Sequence, residues 1–245
     1  MEEVKGNSVE GLNEEDLARF VLDVLHRAII HHGLWFSEVI HQLGLEEALQ
    51  ILEKVKERSI PLQAERLRKA LDLPRDYLSS LPRERLVALL DALALNWLAN
   101  DGIWFQAVEF SRDMNDAKRC NDTCWTRFSP CEARAIKGFL KLPWRPGLEG
   151  LKKALKFRLY ARINVQSIED EGPQSFIFYM NDCRVQSARR RQGLADYPCK
   201  SAGLVEYGRF AEFIDDRIRC ECLACPPDPH PEGWFCAWRF SLQEG

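Results

Sequence analysis

The chain has 245 residues, 34 Lys and Arg against 37 Asp and Glu, a net charge of −3, and 46% hydrophobic residues. That is room for one large domain or two small ones, and it excludes a disordered or collagen-like chain. The near-balanced charge gives no electrostatic case for a nucleic-acid partner. The N-terminal Met-Glu-Glu-Val-Lys-Gly lacks the apolar stretch of a secretory signal. The most apolar run, Leu86 to Leu98, is broken by Asp91 and Asn96 and falls short of a membrane span. The expectation is a cytoplasmic protein with no membrane partner. All nine cysteines lie at or beyond Cys120. In a reducing compartment such a cluster points to metal binding or catalysis more than to disulfides.

The first 143 residues contain an internal duplication. A shift of 69 aligns residues 12–74 with 81–143 without a gap, and 14 of the 63 positions are identical. Gly33-Leu-Trp-Phe answers Gly102-Ile-Trp-Phe, and Leu71-Asp-Leu-Pro answers Leu140-Lys-Leu-Pro. In each copy the apolar residues recur at helical spacing: Leu17, Val21, Val24 and Leu25 after Asn13, then Leu86, Leu90, Leu93 and Trp97 after Pro82. Gly33 and Gly102 are expected to break these helices. Ser129-Pro130-Cys131-Glu132 reads as a capping box opening a last helix, with Pro61 and Gln63 at the matching places in copy one. Each copy thus reads as about four helical segments, and residues 1–147 as one duplicated helical domain. Asp101 and Glu109 flank Trp104-Phe105 and are candidate acid/base groups. His31, His32 and His41 are candidate metal ligands. The competing reading makes the Trp-Phe pairs core and the polar residues helix caps.

Residues 148–245 change period. After a helical stretch, Leu148–Lys156, residues Leu159, Ala161, Ile163 and Val165 alternate with polar ones, as in a half-buried strand. Glu169-Asp170-Glu171-Gly172-Pro173 reads as a turn. A second strand is expected from Ser175 to Gln186, with Ile177, Tyr179, Cys183 and Val185 on its apolar face. Pairing with Arg162 opposite Asp182 would put Asn164, Met180, Tyr160, Arg184 and Gln186 on the other face, either ligand-facing or solvated. Ser201 starts a helix with Leu204, Val205, Tyr207, Phe210 and Phe213 as apolar positions. Ile218–Cys225 and Trp234–Leu242 form a last hairpin. The fold class is therefore α+β: a duplicated helical part, then an antiparallel strand–strand–helix–strand–strand domain.

Six cysteines fall in that domain, with Cys222-Leu-Ala-Cys225 at a spacing that can hold zinc. Cys183, Cys199, Cys236 and His230 are available to complete the site, and the set Cys183, Cys199, Cys222 and Cys225 is the leading choice. On a regular strand Cys222 and Cys225 face opposite ways, so a joint site needs a bulge or the strand to end at Cys222. The alternatives are inert buried thiols and a reactive Cys199. That residue precedes a helix, beside Lys200 and after Arg189-Arg190-Arg191, a setting that favours thiolate. The arginine run can hold a carboxylate or phosphate, or lie in a solvated turn.

Four blocks, Asn181-Asp-Cys-Arg-Val-Gln-Ser-Ala-Arg-Arg-Arg, Tyr197-Pro-Cys-Lys, Glu221-Cys-Leu-Ala-Cys-Pro-Pro-Asp228 and Trp234-Phe-Cys-Ala-Trp-Arg-Phe240, resemble a prokaryotic family of cytosolic proteins without an established activity. Asn100-Asp-Gly-Ile-Trp-Phe and Ala107-Val-Glu extend the resemblance over most of residues 80–245. More distantly, the helix followed by a cysteine-bearing hairpin is similar to vinyl-reductase-like small-molecule-binding domains and aminothiazoline-carboxylate hydrolases. That likeness implies a pocket between sheet and helix.

The leading expectation is a small anionic organic ligand bound by Asn164, Arg184, Gln186, Arg189, Lys200 and the Cys199 helix start. The competitors are a hydrolase of a small cyclic amide or amidine, working through Cys199 or a zinc-bound water, and a zinc-stapled interaction protein. The helical part would serve as lid, scaffold or homodimer contact.

Overall fold

Asn13 caps the first helix, its side-chain carbonyl accepting the Asp16 N–H at 2.9 Å, and three acidic residues in the first turn complement the helix dipole. In the computed structural model of the chain, which describes residue 9, residues 11–193 and residues 195–243, this helix, α1, runs Glu14–Leu43. Gly44, at φ +83°, turns the chain into α2, Leu45–Ala70. These two helices make up the first of two units, Met1–Leu73; the second is Pro74–Gly245. The second unit opens on the same plan, with α3 (Arg83–Ser111) and α4 (Met114–Phe139). It continues through α5 (Gly147–Leu155), a 3-10 turn (Leu159–Arg162), β1 (Val165–Gly172), β2 (Ser175–Asp182), α6 (Arg184–Arg191), α7 (Lys200–Ile214), β3 (Ile218–Ala224) and β4 (Cys236–Leu242).

The duplication is a repeated helix hairpin. α3 and α4 begin 69 residues after α1 and α2 respectively. Both copies also end alike. Asp72 and Lys141 sit at φ 51° and 52°, while Leu73 N–H donates to Arg68 O at 2.9 Å and Leu142 N–H to Lys137 O at 3.0 Å. This left-handed cap satisfies helix-end carbonyls otherwise left without donors. The division between units falls between the two copies, and α4 packs along α7, which joins copy two to the α+β elements.

Several local expectations are corrected. Gly33 and Gly102 lie inside continuous helices, so each copy has two helices rather than four segments. Ser129 and Pro130 do not open a helix either: Pro130, like Pro61, is inside a 26-residue helix. Trp35 and Trp104 are 63% and 61% exposed, so these tryptophans are not core. At 29 residues, α3 is long and apolar enough to cross a membrane, which the run Leu86 to Leu98 did not suggest. Within its unit, however, it packs on α4, and its Asp91 pairs with Arg162 Nη2 at 2.6 Å.

The sheet is antiparallel, in the order β1-β2-β4-β3. Phe176, Phe178 and Met180 of β2 pair with Phe240, Trp238 and Cys236 of β4, and Cys222 pairs with Trp238. Alternation puts all of these on one face. They form the core with Tyr207, Phe210, Ala211 and Ile214 of α7 and Leu151 and Leu155 of α5. Residues 159–162 form a 3-10 turn, and the strand starts at Val165 and runs through the acidic stretch expected to be a turn. Val165, not Arg162, therefore pairs with Asp182. β2 ends at Asp182, and the stretch read as its continuation is α6. Arg184 and Gln186 are helical, and Arg189 to Arg191 form the last turn of α6.

Candidate functional site

α7 meets the sheet closely at Gly203, where an added Cβ would lie 2.5 Å from Trp238 Cζ2. Residues of α3, α4, α6 and the first turns of α7 line a cavity of about 470 Å³ inside the second unit. Its walls are largely apolar and aromatic, among them Phe105, Trp125, Tyr160, Met180, Tyr207 and Trp238. Asp101, Asn164, Arg184, Arg189 and Glu206 supply polar groups, and Cys183, Cys199, Cys225 and Cys236 also reach it. A second, more open depression of about 1040 Å³ runs along α5 and β1. Its Lys152 is already paired with Glu149 and Asp170.

Behind the cavity lies a buried ion cluster. Arg158, 2% exposed, donates from Nε to Glu132 Oε2 at 2.8 Å and pairs through Nη1 with Glu206 Oε1 at 2.7 Å. Its guanidinium also lies over Phe210, 4.7 Å from the ring centroid. Glu132, read from sequence as part of a capping box, instead holds Arg158 and accepts the Leu159 N–H at 3.3 Å. Burial works against charge on Arg158, but the two carboxylates outweigh it and hold the guanidinium ionised. For Glu206 burial dominates over the attraction of Arg158, and its carboxyl is raised to about 7. Burial also raises Asp101.

The segment 195–199 between α6 and α7 is tied down on both sides. Gln186 is fully buried and donates to Tyr197 O at 2.8 Å and Cys199 Sγ at 3.0 Å, while its Oε1 accepts the Tyr197 N–H at 2.8 Å. Arg189 Nε donates to Ala195 O at 2.8 Å, and Lys118 Nζ to Pro198 O at 2.6 Å. Asn164 Oδ1 accepts the Arg184 N–H at 2.9 Å, leaving its Nδ2 buried with no hydrogen-bond partner among the described residues. Trp238 Nε1, also on the cavity wall, is in the same condition.

The sequence-selected residues divide accordingly. Asn164, Arg184, Arg189, Cys199 and Asp101 reach the cavity; Glu109 does not, so the Asp101–Glu109 pairing is not formed there. Gln186 spends its amide on the loop, which makes it a positioning residue. Lys200 is held by Asp228 at 2.8 Å and is not on the cavity wall. Among the described residues no three His, Cys, Asp or Glu side chains are placed to hold a metal, whether Cys183, Cys199, Cys222 and Cys225 or the histidines of α1. The register shift between Cys222 and Ala224 is present, but Cys225 lines the cavity with Cys199 and Cys236 while Cys222 does not. His230 contacts Asp196 at 3.6 Å, lies tilted against Phe235 at 5.5 Å, and is not on the cavity wall with Cys199. Hydrogen bonds from Cys225 and Gln186 outweigh burial and bring Cys199 below the ordinary thiol range. Burial raises Cys183 to about 12.

Sequence reasoning missed Arg158, Glu132, Glu206 and Trp238. One signal was present: Gly203, Glu206, Tyr207 and Phe210 follow helical spacing, which places a carboxylate within the buried stripe of α7.

No curated protein matches the chain. Residues 79–242, about two thirds of the chain, match DUF6125, described as a family of unknown function, and the matched span lies wholly within the second unit. By that match, which takes in α3, α4, the sheet and the whole cavity wall, the chain belongs to the family of unknown function DUF6125.

Proposed function

We propose that the second unit binds a small, largely apolar organic molecule carrying a carboxylate or similar acceptor group. The supporting observation is an aromatic cavity lined by Asn164 and Trp238, whose buried Nδ2 and Nε1 have no acceptor among the described residues. An unpaired buried donor is unfavourable by about 1–3 kcal/mol, so an acceptor-bearing ligand gains by satisfying it. Arg184 and Arg189 on the wall favour negative charge on that acceptor. This reading takes precedence over the hydrolase alternative because the Cys199 thiol is bonded to the Gln186 amide and the Tyr197 carbonyl, with no imidazole beside it among the described residues to act as its base. A cytoplasmic location belongs to the same proposal: none of the nine cysteines is in a disulfide, as suits a reducing compartment. The likeness to vinyl-reductase-like binding domains stands only as an analogy for such a pocket.

Calorimetric titration with 1-naphthoate and a graded series of aromatic and aliphatic carboxylates tests the proposal. One site per chain is expected, weakened at least about tenfold by Ala188→Phe, which fills the cavity wall. Saturable binding untouched by that substitution, or none across the series, overturns it.

A further inference from the structure

The cavity wall holds a chain of thiols that ligand binding does not use. Cys225, 1% exposed, lies just past the register shift at the end of β3 and lines the same cavity as Cys199 and Cys236. The two segments carrying Cys199 and Cys225 are clamped together. Lys200 N–H donates to Pro226 O at 2.9 Å, one residue beyond each cysteine. Asp228 accepts Lys200 Nζ at 2.8 Å and the Cys225 N–H at 3.3 Å. That main-chain bond keeps the two cysteine-bearing segments adjacent. Cys199 also stands at the start of a 15-residue helix, with the Gln186 amide 3.0 Å from its sulfur. Both features stabilise negative charge as it builds on that sulfur.

We propose that Cys199 and Cys225 form a redox-active dithiol, oxidised by hydroperoxides that reach Cys199 through the cavity. The Cys199 sulfur attacks the peroxide oxygen and the O–O bond breaks. The departing oxygen takes the thiol proton and leaves as alcohol or water, and Cys199 becomes a sulfenic acid. The Cys225 sulfur then attacks the Cys199 sulfur, and the S–O bond breaks. Hydroxide leaves with the Cys225 proton as water, and a disulfide forms. Two thiols and one hydroperoxide become one disulfide, one alcohol or water, and one water. The two electrons gained by the peroxide come from the sulfurs, and an external thiol reverses the change. Cys222, the partner implied by the C-x-x-C spacing, is not on the cavity wall and takes no part. The proposal goes beyond ligand binding and stands on the thiols alone.

The test treats the full chain with hydrogen peroxide at neutral pH, followed by thiol counting and peptide mapping without reductant. The wild type and Cys222→Ser are expected to lose two thiols, give a Cys199–Cys225 crosslink, and recover both thiols with dithiothreitol. Cys225→Ser should stop at a sulfenic acid on Cys199 that dimedone traps. Cys199→Ser should react at least about tenfold more slowly, at the rate of exposed thiols such as Cys120 and Cys124. The wild-type map decides the matter even where a variant folds poorly. A Cys222–Cys225 crosslink, or oxidation confined to Cys120 and Cys124, overturns the proposal. Neither result bears on the carboxylate titration, so the two ideas fail separately.

Discussion

Lys141 and Asp72 share a conformation that neither side chain favours. At φ 52° and 51° they occupy the left-handed region, which helix C-termini usually give to glycine or asparagine. Because the repeat preserves the geometry while the residue changes from Asp to Lys, the constraint lies in the backbone and in the flanking leucines and proline. Lys141→Gly is therefore expected to raise stability by about 0.5–1 kcal/mol, seen as a higher urea midpoint at unchanged slope. A fall in the midpoint would mean that the Lys141 side chain contributes something its position does not suggest. Sequence reading recognised Leu140-Lys-Leu-Pro as a repeated unit, but the positive φ of its second residue depends on how the helix ends, which no side chain there declares.

At the scale of elements, the contact that shapes the site is α7 on β4. Gly203 allows the Trp238 ring to lie against the helix backbone, and Cys225 and Cys199 sit at the edge of that contact. Gly203→Ala would place a methyl against a fully buried ring that has no flexible end to move aside. Overpacking of this kind destabilises by about 1–3 kcal/mol. It should lower the thermal midpoint and change the near-ultraviolet signal of the tryptophans, and a variant as stable as the wild type would place the ring elsewhere. The strands β3 and β4 were legible, because alternating apolar residues within a two-strand hairpin report their own pairing. The 3-10 turn before β1 and helix α6 were not. Leu159 to Val165 alternates as a strand would, yet Arg158 is drawn into the ion cluster and the backbone around it tightens. Arg184 to Arg191 has almost no apolar stripe and is held as a helix by Gln186 reaching across to Tyr197 and Cys199.

At the scale of the whole molecule, two buried carboxyls of the second unit pull stability in opposite directions with pH. Burial would raise Asp215, but hydrogen bonds from Arg217 and the Gly147 N–H outweigh it and hold the group at about 2. A lowered carboxyl contributes stability that is present above its unfolded value of 3.8 and is lost as pH falls towards 2. Glu206 has the opposite sign. Its folded value of about 7 lies above the unfolded 4.5, so its contribution is full below 4.5 and declines as pH rises to 7. The groups facing Glu206 include Arg158, Glu132, Tyr207, Tyr160, Asp101, Cys199 and Cys220. Urea midpoints should therefore fall between pH 5 and 7, by up to about 3 kcal/mol in stability. Glu206→Gln should flatten that limb while leaving the acid limb of Asp215 in place, and an unchanged slope in the variant would assign the limb to another group.

The duplication, the antiparallel α+β class and the final hairpin were determined by the sequence itself, because repeats and periodicities are local and survive in a one-dimensional record. Asn164, Arg184, Arg189 and Cys199, picked out from the sequence as candidates, line one cavity. The tertiary structure alone decided what surrounds them. Glu132 comes from α4, Arg158 from the approach to the sheet and Glu206 from α7, and they meet only because distant segments pack together. In the same way, the segment carrying Cys225 is joined to the start of α7 by the bond from Lys200 N–H to Pro226 O, a contact that spacing along the strand does not reveal. Spacing records which residues can share a face, but burial decides which charges and thiols must find one another, and burial is a property of the assembled chain.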